Sequence, residues 1–123
     1  MPLSIQFMGT GMPAEFARLE GYNPAVAVTA AGANSANATA LLAAQNFALM
    51  TATGTDGVRL PASAGLIKGH FIVNVSAAAG IVYPPTGGNF AGGSTDAGIS
   101  VPSRKTLICW RYSNTGWSYN LSA

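Results

Sequence analysis

Between residues 54 and 117 the chain alternates short bursts of β-branched and aromatic residues with Gly, Pro, Asn and Ser punctuation: GTDGVRLPASAG, then HFIVNVSAAAGIVYPPTGG, then ISVPSRKTLICWRYSNTGW. β-Branched and aromatic side chains suit a pleated, half-buried surface, and the punctuating residues supply turns. The pattern predicts a small all-β domain. Strands are expected over residues 25–30, 47–53, 58–61, 70–75, 80–84 and 99–102. The clearest hairpin joins residues 105–112 to 116–121 through a turn at Ser113, Asn114, Thr115 and Gly116. In its last strand Trp117, Tyr119 and Leu121 alternate with Ser118, Asn120 and Ser122, as a strand with one apolar face requires.

Three stretches read differently. Residues 38–44 are Ala-rich and follow N-cap chemistry, so about two turns of helix are expected there, with Leu41, Leu42 and Ala44 inward. Residues 86–98 hold five glycines and read as a long loop with Phe90 as its contact. Residues 1–22 carry Pro2, Gly9, Gly11, Pro13 and Gly21 and read as an extended arm, with at most a short helical turn over 13–19 starting at Pro13. Phe7, Met8, Met12, Phe16 and Leu19 are costly to leave in water, so the arm is expected to pack on its own domain or on a neighbouring subunit. The expected organisation is therefore an N-terminal arm over 1–22 and an all-β domain over 23–123. That domain is read as a small β-sandwich or barrel-like fold with at most one short helix.

Composition narrows the function. Charged residues make up 8% of the chain, against about 25% in a typical globular protein. Soluble monomers normally keep charged surfaces, so so neutral a chain is expected to bury surface in an oligomer or on a larger assembly. The basic residues Arg18, Arg59, Lys68, Arg104, Lys105 and Arg111 are scattered, with a net charge of +2, and form no stripe for nucleic acid. No apolar stretch approaches the roughly 20 residues of a membrane span. The first residues lack a basic segment followed by a continuous apolar one, so no secretory leader is expected.

Catalytic material is scarce. Cys109 is the one cysteine and lies in the apolar run LICW, where a small buried hydrophobe is expected. His70 is the one histidine, with nothing local to pair it with Cys109, and it is read as a structural or interface residue. Asp56 and Asp96 sit in loops, Asp56 in an Asp-Gly turn. Glu15 and Glu20 are five apart, which is poor spacing for a pair on one helix face. Hard cations need several converging oxygens, and the glycines at 54–57 and 86–88 lack a phosphate-loop pattern. No catalytic, cofactor or metal residue is expected, and function falls to surfaces. Trp110, Tyr112, Trp117 and Tyr119 are the candidate binding face, since hairpin aromatics stack on sugars and form interface hot spots.

Residues 56–61 (DGVRLP), Val73-Asn74, Tyr83-Pro84 with Thr86-Gly87, and Thr115-Gly116-Trp117 together resemble a module of tailed-bacteriophage virion proteins. The resemblance covers roughly residues 45–120. It implies a capsid decoration (cement) protein or a short fibre module. It also implies a homotrimer, a major capsid protein as partner, and a place on the virion surface after synthesis in the host cytoplasm. On that reading the arm residues Phe7, Met8, Met12, Phe16 and Leu19 anchor the chain to the shell, and Phe71, Val73 and Ile81 form the trimer contact. The alternative is a host-binding, carbohydrate-binding fibre or spike module, for which the aromatic hairpin is the candidate face. A small hydrolase comes third, for want of His and acids.

Overall fold

The structure is a computed structural model that describes residues 25–62 and 69–123; the arm residues Phe7, Met8, Met12, Phe16 and Leu19 and the helical turn expected over 13–19 lie outside the described residues. Ten strands run in chain order: β1 (Val26–Thr29), β2 (Thr39–Ala40), β3 (Phe47–Thr51), β4 (Gly57–Arg59), β5 (Gly69–Asn74), β6 (Gly80–Tyr83), β7 (Asn89–Phe90), β8 (Ile99–Val101), β9 (Thr106–Arg111) and β10 (Gly116–Leu121). The described residues are mainly β and contain no helix.

From β1 to β9, successive strands fall in opposite sheets. A six-stranded sheet has the order β1-β3-β5-β9-β10-β7, and a four-stranded sheet has the order β2-β4-β6-β8. β1, β3 and β5 are parallel neighbours in the first sheet, as β2, β4 and β6 are in the second. Val26 pairs with Ala48 and Ala48 with Ile72, so one circuit through both sheets takes 22 and then 24 residues. The stacking is thus solenoid-like, three circuits deep, where the sequence reading expected a sandwich or barrel. The last strands close it differently. β9 is antiparallel to β5 and β10 to β9, β8 is antiparallel to β6, and the short β7 adds in parallel to the far side of β10.

The core lies between the sheets. Ala48, Met50, Ile72, Leu107, Cys109 and Trp117 from the larger sheet meet Val58, Val82 and Val101 from the smaller one, all fully buried. Complete burial of each Val, Leu, Ile or Met side chain is worth about 1.5–3 kcal/mol. Crowding between circuits sets where side chains are absent. A Cβ at Gly57 would lie 2.4 Å from the Ile81 carbonyl oxygen, so this strand position accepts only hydrogen.

Two local expectations are corrected. Residues 38–44 form no helix. Thr39 Oγ1 donates to the Thr29 carbonyl at 2.8 Å and Leu41 N to the Arg59 carbonyl at 2.9 Å, so pairing across circuits overrides the helix preference of Ala. Leu41 is buried, whereas Leu42 and Ala44 are exposed rather than inward. The Gly-rich stretch 86–98 contains a strand, β7, because Phe90 is fully buried and its neighbours pair with β10.

Candidate binding surface

Strands β3, β5 and β9 of the larger sheet carry apolar residues on both faces. In β3 the inward residues Ala48 and Met50 alternate with Phe47 and Leu49, and in β5 the inward Ile72 alternates with Phe71 and Val73. Cross-strand register lines up the outward residues. Phe47, Phe71, Ile108 and Asn120 form one row, Leu49, Val73 and Thr106 the next, and Gly69, Trp110 and Ser118 a third. None of these residues is charged. Phe47 and Phe71 stack with ring centroids 5.7 Å apart. Ile108 is 37% exposed, Trp110 is half-buried, and Tyr112, just beyond β9, is exposed. Strands that read as continuous apolar runs normally lie in sheets covered on both faces.

The structure divides the four hairpin aromatics between two faces. Trp117 pairs with Arg111 and Tyr119 with Cys109, so both project to the inner side, while Trp110 and Tyr112 project outward beside Ser118. Trp117 is fully buried in the core, and Tyr119, partly exposed, meets Phe90 edge-on with centroids 5.5 Å apart. The four therefore form no single face. Phe71 and Val73, expected at an oligomer contact, lie together on the outer face of the larger sheet; Ile81 lies in β6 of the other sheet, with its Cγ2 against Gly98. Phe47, Leu49 and Ile108 complete the apolar rows and went unnoticed in the sequence. Their signal was present in the unbroken runs FALM and LICW, which carry no polar alternation.

One arrangement invisible in the sequence is the pairing of His70 with Cys109 directly across β5 and β9. It does not make a nucleophile. Cys109 is wholly buried, burial pushes its thiol pKa well up, and the sulfur lies 3.7 Å from the His70 carbonyl oxygen, to which its S–H donates. The His70 ring packs edge-on to Trp117 with centroids 5.5 Å apart and is buried with it. The carboxylates serve loops. Asp56 accepts from Thr53 N at 2.7 Å and Thr53 Oγ1 at 3.0 Å, and Asp96, at φ 62°, accepts from Gly87 N at 2.8 Å. Burial raises the Asp56 pKa, but the hydrogen bonds from Thr53 and from the Asp56 and Gly54 backbone together outweigh it and the net displacement is downward. Among the described residues no three His, Cys, Asp or Glu side chains gather where they could hold a metal, and no helix is long and apolar enough to cross a membrane.

No protein-family model, curated protein or solved structure matches this chain.

Proposed function

We propose that the chain is a structural assembly module that associates through the outer face of its larger sheet. The observation that carries this reading is the two-sided apolarity of β3, β5 and β9. Their inner residues fill the core, and their outer rows of Phe47, Phe71, Ile108, Leu49, Val73 and Trp110 are uncharged and partly in water. Covering that face with a second copy removes apolar surface from water at about 25 cal/mol per Å². The low charge of the whole chain fits the same picture.

Taken with the resemblance to phage virion modules, the reading becomes a capsid decoration protein. It is a homotrimer, with the major capsid protein as its partner and residues 1–22 as its tether. Each copy bridging neighbouring shell subunits binds the assembled state and so stabilises it by mass action. The chain added to purified shells that lack it should bind and raise their melting temperature. Deleting residues 1–22 should leave a folded oligomer that no longer attaches. Attachment that survives the deletion removes the tether from the proposal, and shells that gain no stability remove the cement role.

Exposed Tyr112 and Tyr119 favour a second reading, a host-binding module that stacks sugars on single tyrosines. Glycan binding lost on Tyr112→Ala or Tyr119→Ala, with the fold kept, would select it. Trp117→Ala would not be informative there, because Trp117 is core.

A further inference from the structure

A cleft of about 150 Å³ opens beside the β9–β10 hairpin, where the loops that follow β4 and β6 meet its turn. Arg111, Trp117, Asn114, Thr115, Thr86 and Gly87 are among its walls, and among the described residues no carboxylate lines it. Arg111 and Trp117 stand directly opposite each other across the hairpin. The guanidinium uses one NH group to donate to the Ala62 carbonyl at 3.1 Å. Its Nε–H and the indole Nε1–H of Trp117 are both buried, and neither has an acceptor among the described residues. Buried donors almost always find partners, so two orphans on adjoining side chains require an explanation. Arg111 also makes no ion pair among the described residues. Asp96, which accepts from Gly87 N of the cleft wall, is not itself among the lining residues.

The core explains why Trp117 is buried but not why, among the described residues, its N–H lacks an acceptor beside a guanidinium that makes no ion pair. We propose that this cleft is a binding site for a carboxylate group, recognised by Arg111 and walled by Trp117. Guanidinium matches a carboxylate with parallel N–H donors, and such charge-assisted bonds are the strong ones. The volume corresponds to about five waters. It accommodates the whole of a small organic acid, or only the acid end of a uronic sugar. This site is independent of the outer sheet face, which lies on the other side of β9 and β10.

The test is a nuclear magnetic resonance titration of the full chain, following the side-chain N–H signals of Trp117 and Arg111. Sodium acetate and sodium glucuronate are the probes, with glucose and ionic-strength-matched sodium chloride as controls. The expected result is a saturable shift of both signals at roughly millimolar ligand, a scale suited to so few contact atoms, with neither control reproducing it. Arg111→Gln should abolish it. Tighter binding of glucuronate than of acetate by tenfold or more would assign the site to acidic sugars, and the reverse order to small acids. The proposal is overturned if neither carboxylate gives a saturable shift, if chloride gives the same one, or if the shift persists in Arg111→Gln. Should that variant not fold, the wild-type titration still decides, because a Trp117 shift with a stationary Arg111 Nε–H excludes recognition by the guanidinium.

Discussion

The side-chain Nδ2 of Asn74, in the larger sheet, donates to the main-chain carbonyl of Val101, in the smaller sheet, at 2.9 Å. Asn74 is wholly buried, and the same amide nitrogen also reaches the carbonyls of Ala78 at 2.8 Å and Pro102 at 3.3 Å. Its oxygen accepts from the amide and hydroxyl of Ser76. One side chain thus clamps the two sheets together and satisfies carbonyls at the end of β8. Asn74→Leu keeps the branching and heavy-atom count of the side chain but leaves those carbonyls unpaired, and should cost about 3 kcal/mol in chemical denaturation. Asn74→Asp should cost more at neutral pH, since a carboxylate cannot donate to carbonyls. Burial raises that carboxyl's folded pKa, so the deficit should widen as pH rises above about 4. A variant within a few tenths of a kcal/mol of wild type would deny the clamp.

Cys109 should be almost inert in the folded chain. Its thiol is buried and held protonated, so a thiol reagent must wait for the β5–β9–β10 region to open. At pH 8 labelling should be roughly a thousandfold or more slower than in denaturant, in line with the small open fraction of a stable core. Native labelling at the denatured rate would place the hairpin outside the core.

Asp56 should contribute to acid sensitivity. Its pKa is lower folded than unfolded, so its contribution is present above the unfolded value near 4 and is lost as pH falls through the folded one. The gap in denaturation midpoint between wild type and Asp56→Asn should be full at pH 6 and close by about pH 2. A gap that stays constant or grows on acidification would contradict the turn role given to Thr53 and Asp56.

Local pattern made the strands legible, and long-range pairing decided what the pattern could not. β5, β6, β9 and β10 could be read from their β-branched and aromatic runs, and the hairpin from its turn. Parallel pairing of Val26 with Ala48 and of Ala48 with Ile72 spans more than twenty residues and leaves no turn signature, so the solenoid-like path stayed hidden. The same pairing turned residues 38–44 from an expected helix into a strand and a loop. Register, which a one-residue shift reverses, also hid the partition of the aromatics. Trp117 opposite Arg111 sends it to the core, and Trp110 opposite Ser118 sends it outward. The Arg111–Trp117 cleft was illegible because Ala62 and Pro85 reach it from loops distant in sequence.

The outer face of the larger sheet is the proposed assembly surface, and Ile108 is the most accessible aliphatic residue within its paired rows. Light scattering of the purified chain at several concentrations, beside Ile108→Lys, tests it directly. The expected result is a trimer for wild type and a folded species of lower mass for the variant, because a lysine in that row brings charge into an interface meant to be dry. A wild-type chain that is monomeric at every concentration, or an Ile108→Lys chain that keeps the full mass, would contradict the account.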